Sequence, residues 1–123
     1  MHLELVFEWM PPQLFRNKER TQHWGVRQYH SKTSRMVAAA VTREVITSSK
    51  EKINFQPKKD IPISVYFYPP DKRRRDVDGM FSALKPTLDG IADAIEVDDQ
   101  YFNPTHLYRC APVKGGKVKI IVG

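Results

Sequence analysis

The chain has 123 residues, 41% hydrophobic and 28% charged, enough for one small soluble core and too few for a second. Twenty Lys and Arg against fourteen Asp and Glu leave a net +6, a balance that favours a polyanionic partner such as nucleic acid or an acidic membrane surface. A single cysteine, Cys110, excludes an internal disulfide framework and a Cys-based zinc finger, and no apolar run approaches the ~20 residues of a bilayer span.

Leu3, Leu5, Phe7 and Trp9 alternate with His2, Glu4, Val6 and Glu8, which predicts a half-buried strand that Pro11-Pro12 terminates. Residues 13–32 show no clear period and read as a long loop, a length that is often functional. Val37, Val41 and Val45 recur at helical spacing, predicting a helix over 33–49. Ile61, Ile63, Val65 and Phe67 alternate again before Pro69-Pro70, with Pro62 at the strand start where a sheet tolerates it. From Met80 the period becomes helical through Leu84, Leu88, Ile91 and Ile95, and Pro86 predicts a kink or break near Lys85. Residues 107–113 and 118–122 read as two strands of a hairpin joined at Gly115-Gly116. The opening MHLELVFEWMPP lacks the basic-then-apolar build of a secretion signal, so the expected compartment is the cytoplasm.

Charge is unevenly placed. Between Asp76 and Asp99 there are seven acids and one base, Lys85, which is −6; the other 99 residues hold nineteen bases and seven acids, which is +12. In extended backbone, residues i and i+2 project to one face, so Asp76 and Asp78 can aim both carboxylates at one point. Mg²⁺ takes oxygen ligands and keeps several waters, so two or three carboxylates suffice, and Asp98 or Asp99 can supply the third if the intervening helix folds across the sheet. The alternative assigns Asp76 or Asp78 to a helix cap and Asp98-Asp99 to a turn. His23 and His30, seven apart in a loop-like segment, read as polar surface histidines.

Beside the acids stands Lys72-Arg73-Arg74-Arg75, whose guanidinium forks suit phosphate oxygens, although such a run is also an ordinary solvated face. Arg16, Lys18, Arg20, Arg27, Lys32 and Arg35 interleave with Phe15, Trp24 and Tyr29. Bases of this kind track a nucleic-acid backbone, and aromatics stack on unpaired bases or pin a loop to the core. Lys114-Gly115-Gly116-Lys117 lacks the phosphate-loop pattern, which gives nucleotide chemistry no support.

The segment Asp71-Lys-Arg-Arg-Arg-Asp-Val-Asp78, followed by Val97-Asp98-Asp99-Gln100, resembles the RusA family of Holliday junction resolvases. Trp9-Met10-Pro11-Pro12, Asn17, His23-Trp24, Tyr68-Pro69-Pro70 and Lys114-Gly115-Gly116 extend the resemblance over nearly the whole chain. It implies one endonuclease domain over 1–123, of α+β class with a small mixed sheet; the elements read above make that about four strands and two main helices, the second kinked. It implies a homodimer that cuts paired strands of a four-way DNA junction in recombination and repair, in a bacterial or phage-infected cell. The cofactor is Mg²⁺, for which Mn²⁺ substitutes, with no nucleotide cofactor and no membrane. Asp76, Asp78 and Asp99 match the family's catalytic acids, with Asp98 as a further metal ligand. Lys72, Arg73, Arg74, Arg75, Arg16, Lys18, Arg20 and Arg27 are the expected DNA contacts. Three positions depart from the pattern: Gly79 replaces the usual Asn, Ser82 occupies the family's lysine position, and Gln100 follows Asp99 directly. With three residues inserted, Lys85 and Asp89 restore the family's Lys-x-x-x-Asp spacing, which makes Lys85 the candidate catalytic lysine. A non-catalytic DNA-binding protein and a nuclease for other branched DNA remain open alternatives.

Overall fold

In the computed structural model, residues 2–15 and 23–123 are described. The period-two segments form strands β1 (Leu3–Glu8) and β2 (Ile61–Tyr68). The period-3.6 segments form helices α1 (Trp24–Ser48) and α2 (Val77–Ile95). Strands β3 (Phe102–Arg109) and β4 (Lys117–Val122) complete a sheet of order β1-β4-β2-β3. β4 runs antiparallel to both β1 and β2, whereas β2 and β3 are parallel. α2 is the crossover that parallel neighbours require. The chain is thus a single small α+β domain with two helices and a four-stranded mixed sheet. Among the described residues, no helix is long and apolar enough to cross a membrane.

One face of the sheet carries the core. Leu3, Leu5, Ile63, Val65, Phe67, Val118, Ile120 and Val122 pack there against Met80, Leu84, Leu88 and Ile91 of α2. The alternate strand residues, among them Glu4, Tyr66, Tyr108 and Lys119, point to the other face and stay exposed or half-buried. α1 is mostly an outer layer. Ala38, Ala39 and Thr42 are its buried residues, and it rests on α2 where Gly90 admits it.

Two local expectations are corrected and a third is narrowed. Residues 107–113 and 118–122 do not form a hairpin, because β2 lies between β3 and β4. The connecting segment runs over the end of β2, with Cys110 N donating to Phe67 O (2.8 Å) and Val113 N to Pro69 O (2.9 Å). Gly115 and Gly116 still make the turn, both at positive φ (80° and 71°). α1 starts at Trp24, inside the segment read as a loop. Trp24, Val26 and Tyr29 are exposed there, so no core face imposes a period. His23 caps that helix, its Nδ1 accepting from Gly25 N at 3.1 Å. Finally, α2 continues through Pro86 as one helical segment, so of the kink or break expected there the break does not occur.

Candidate functional site

Proline removes the donors that would extend β2, so the chain leaves the sheet at Pro69-Pro70. Asp71 then organises the arginine run. Its Oδ1 accepts from Arg73 N (2.9 Å) and from Arg75 Nη1 (2.9 Å). The Arg75 bond, followed by the Arg73 N–H, holds the Asp71 carboxyl below its ordinary range. Arg75 Nη1 also donates to Arg73 O (3.2 Å), and its guanidinium lies over the Trp9 ring (5.6 Å). Arg109 Nη1 on β3 donates to the Arg75 carbonyl at 2.9 Å. Arg75 is therefore a tie inside the loop, while Lys72, Arg73 and Arg74 are exposed.

Asp76 follows as the N-cap of α2, with extended backbone (φ −81°, ψ 144°) and no side-chain capping bond. Asp78 is exposed in the first turn, where the positive end of the helix dipole favours an acid. Because the helix begins at Val77, the strand geometry expected for Asp76 and Asp78 does not apply. At 100° per residue, Asp78, Ser82, Lys85 and Asp89 fall within about 60° of one another, on the side of α2 away from the core. Lys85 is about 10 Å beyond Asp78 along the axis, its Nζ 5.7 Å from the Phe81 ring centroid. Ser82 lies one turn from Asp78.

The other acids gather around the far end of α2. Glu96, in the left-handed region (φ 59°), turns the chain out of the helix. Asp98 caps the next 3₁₀ turn, accepting from Gln100 N at 3.0 Å, which realises the turn role for that residue. Asp89, Asp93, Asp98, Asp99 and Arg35 line a cleft of about 260 Å³. Arg35 makes a two-pronged bond to Asp93 (2.7 and 2.8 Å) that holds the Asp93 carboxyl low. Partial burial, then a hydrogen bond with Asp99, push the Asp89 carboxyl up.

Two carboxylate groups thus stand apart. Asp78 and Asp89 are eleven residues apart in one helix, about 16 Å along its axis, and Asp99 lines the same cleft as Asp89. Mg²⁺ holds its ligands at roughly 2 Å, so one ion cannot take both Asp78 and Asp99 of the same chain. Among the described residues, no three His, Cys, Asp or Glu side chains of one chain form a metal group.

The remaining expected contacts divide. Arg16, Lys18 and Arg20 lie outside the described residues. Arg27 Nη1 donates to Leu14 O at 2.9 Å, which ties α1 to the 3₁₀ turn Pro12–Leu14. Arg35, Arg109 and Trp9 carry site geometry that the sequence reading did not assign them. The Arg35–Asp93 pair spans 58 residues and has no local signal.

No known family model matches the chain. It is 36% identical over 80 residues to an uncharacterised protein of Xylella fastidiosa (strain Temecula1 / ATCC 700964), a stretch covering 65% of this chain and 50% of that protein. The chain therefore spans about half the length of the curated relative it matches.

Proposed function

We propose that this protein is a metal-dependent endonuclease of the RusA type that cuts four-way DNA junctions as a homodimer. One observation carries the reading. Asp76 holds the N-cap position without spending its carboxylate on the cap, beside Asp78 and directly after an arginine run. An acid that served only as a cap would accept from the first helical N–H groups.

A single chain offers Asp76 and Asp78 two residues apart at the start of α2 and keeps Asp99 elsewhere. A two-fold dimer completes the set if Asp99 of one copy meets Asp76 and Asp78 of the other, and symmetry then makes two sites, one for each cut. A bound Mg²⁺ would supply an activated water and neutralise charge on the scissile phosphate. The chain's own groups hold the strand. Arg73 and Arg74 face phosphates, and Arg75 fixes the loop. Lys85, on the same stripe as Asp78, offers a cation to a phosphate further along α2.

Junction affinity should fall with salt, each neutralised phosphate adding about −0.9 to the log–log slope. Replacing Arg73 and Arg74 by Ala should flatten the slope by roughly two such units, whereas Arg75→Ala should lower stability first. Binding titrations across a salt series check this, and an unchanged slope in the double variant means these arginines only face solvent.

The function itself is tested by incubating the protein with four-way and linear duplex DNA, with Mg²⁺ and with EDTA. The reading expects Mg²⁺-dependent cuts in the junction alone. The separation of the carboxylates favours a second reading, a non-catalytic DNA-binding protein, which predicts junction binding without cuts. Equal cutting of linear DNA marks a general nuclease.

A further inference from the structure

At the arginine run is a recess of about 370 Å³, lined among others by Trp9, Pro12, Phe15, Pro70, Arg73 and Arg74. That size lies within the range of about 300–1,000 Å³ usual for small-ligand pockets. Its composition is unlike the rest of the surface. Trp9 and Phe15 stack at 6.2 Å with 25° between their planes. The edge of Phe67 braces Trp9 from the core (6.3 Å, 78°). The Arg75 guanidinium, another flat π-surface, lies over Trp9 and is itself held by Asp71. Among the described residues Asp71 is the one acid lining the recess, and Arg75 offsets its charge. Arg73 and Arg74 are exposed.

We infer that this recess receives a nucleobase that has left the stack, while Arg73 and Arg74 hold the phosphates on either side of it. The inference rests on the reading of the protein as an enzyme of branched DNA, and it names which part of the DNA is gripped. Flat rings and guanidinium planes bind bases through their π-faces with little regard to sequence. Trp9 and Phe15 are half-buried and share the recess with Pro12 and Pro70, a setting that suits a single base taken out of the stack better than a paired one. A branch point supplies bases whose stacking is already interrupted, which lowers the cost of taking one out. Arg75, which lines the recess, is followed directly in the chain by Asp76, the first of the proposed metal ligands.

The test uses Trp9 fluorescence in the full chain carrying Trp24→Phe, which removes the exposed second tryptophan. Titrations are made in EDTA with a short single-stranded oligonucleotide, with the same strand made abasic, and with a blunt duplex. The normal strand should alter Trp9 emission and bind at least about tenfold tighter than the abasic strand, the scale of one base–aromatic stack. Phe15→Leu, checked for folding by circular dichroism, should remove most of that preference. Equal affinity for the abasic strand overturns the inference, because the recess then reads phosphate alone. An equal response to the duplex, or none to any strand, also overturns it. Because no metal is present, the result is separate from cleavage: a base preference without junction cutting keeps the pocket and removes the nuclease reading.

Discussion

Asp76→Asn and Asp78→Asn should each abolish metal-dependent junction cleavage while the protein stays folded. Asn is as good an N-cap as Asp, so a purely structural Asp76 tolerates the change. The cost to α2 is the lost charge at its N-terminus, at most about 1 kcal/mol, or roughly 4 °C in melting temperature. A metal ligand behaves differently. Loss of its charge weakens the ion's hold and removes several kcal/mol of transition-state stabilisation, about a thousandfold in rate or more. Junction binding should persist or tighten, since negative charge near phosphate is removed. Single-turnover cleavage, thermal melting and a binding titration on the same samples separate the cases. Full activity in either variant contradicts the assignment of these acids.

Gly90→Ala should be the most damaging small substitution in the fold. A Cβ at Gly90 would meet the Arg35 carbonyl oxygen at 2.2 Å, the Ala38 Cβ at 2.8 Å and the Ala39 nitrogen at 3.0 Å. The Arg35 oxygen and the Ala39 nitrogen are backbone atoms of α1, so no rotamer change relieves those contacts and the two helices must separate. Alanine gains about 1 kcal/mol of helix propensity over glycine. Overpacking of this kind costs about 3 kcal/mol or more, so a net loss of about 2 kcal/mol and roughly 8 °C is expected. Gly79→Ala is the internal control. Nothing lies within 4 Å of its added Cβ, so the propensity gain should appear alone as a small stabilisation. A Gly90→Ala melting temperature equal to that of Gly79→Ala would mean that α1 is not seated on α2 at this point.

Periodicity marks what is buried, and its reach ends where burial ends. Residues of β1, β2 and α2 alternate or recur because each element turns one face to the core, so their positions can be read locally. The first turns of α1 expose Trp24, Val26 and Tyr29, and a helix without a buried face leaves no apolar period. Gly115-Gly116 signals a turn correctly, but pairing is a long-range property, and β2 enters between the strands that flank it. The acids of the site are legible as residue types and the arginine run as a charge cluster. Their separation is not, since it depends on α2 starting at Val77 and continuing through Pro86. The ties among Trp9, Asp71, Arg75 and Arg109 join three parts of the chain and exist only once the sheet has formed.

The proposed active site takes carboxylates from two copies of the chain, and a mixing experiment reads that directly. Asp78→Asn and Asp99→Asn homodimers should each be inactive on four-way junctions with Mg²⁺. When the two variants are co-expressed under different tags and the mixed dimer is purified, one site receives both altered residues. The other is wholly native. Half of the sites should then work, giving about half the wild-type rate of strand cutting, in single nicks rather than paired cuts. A purified mixed dimer that binds the junction and remains as inactive as its parents would show that the carboxylates do not meet across the two-fold axis, and would contradict the account.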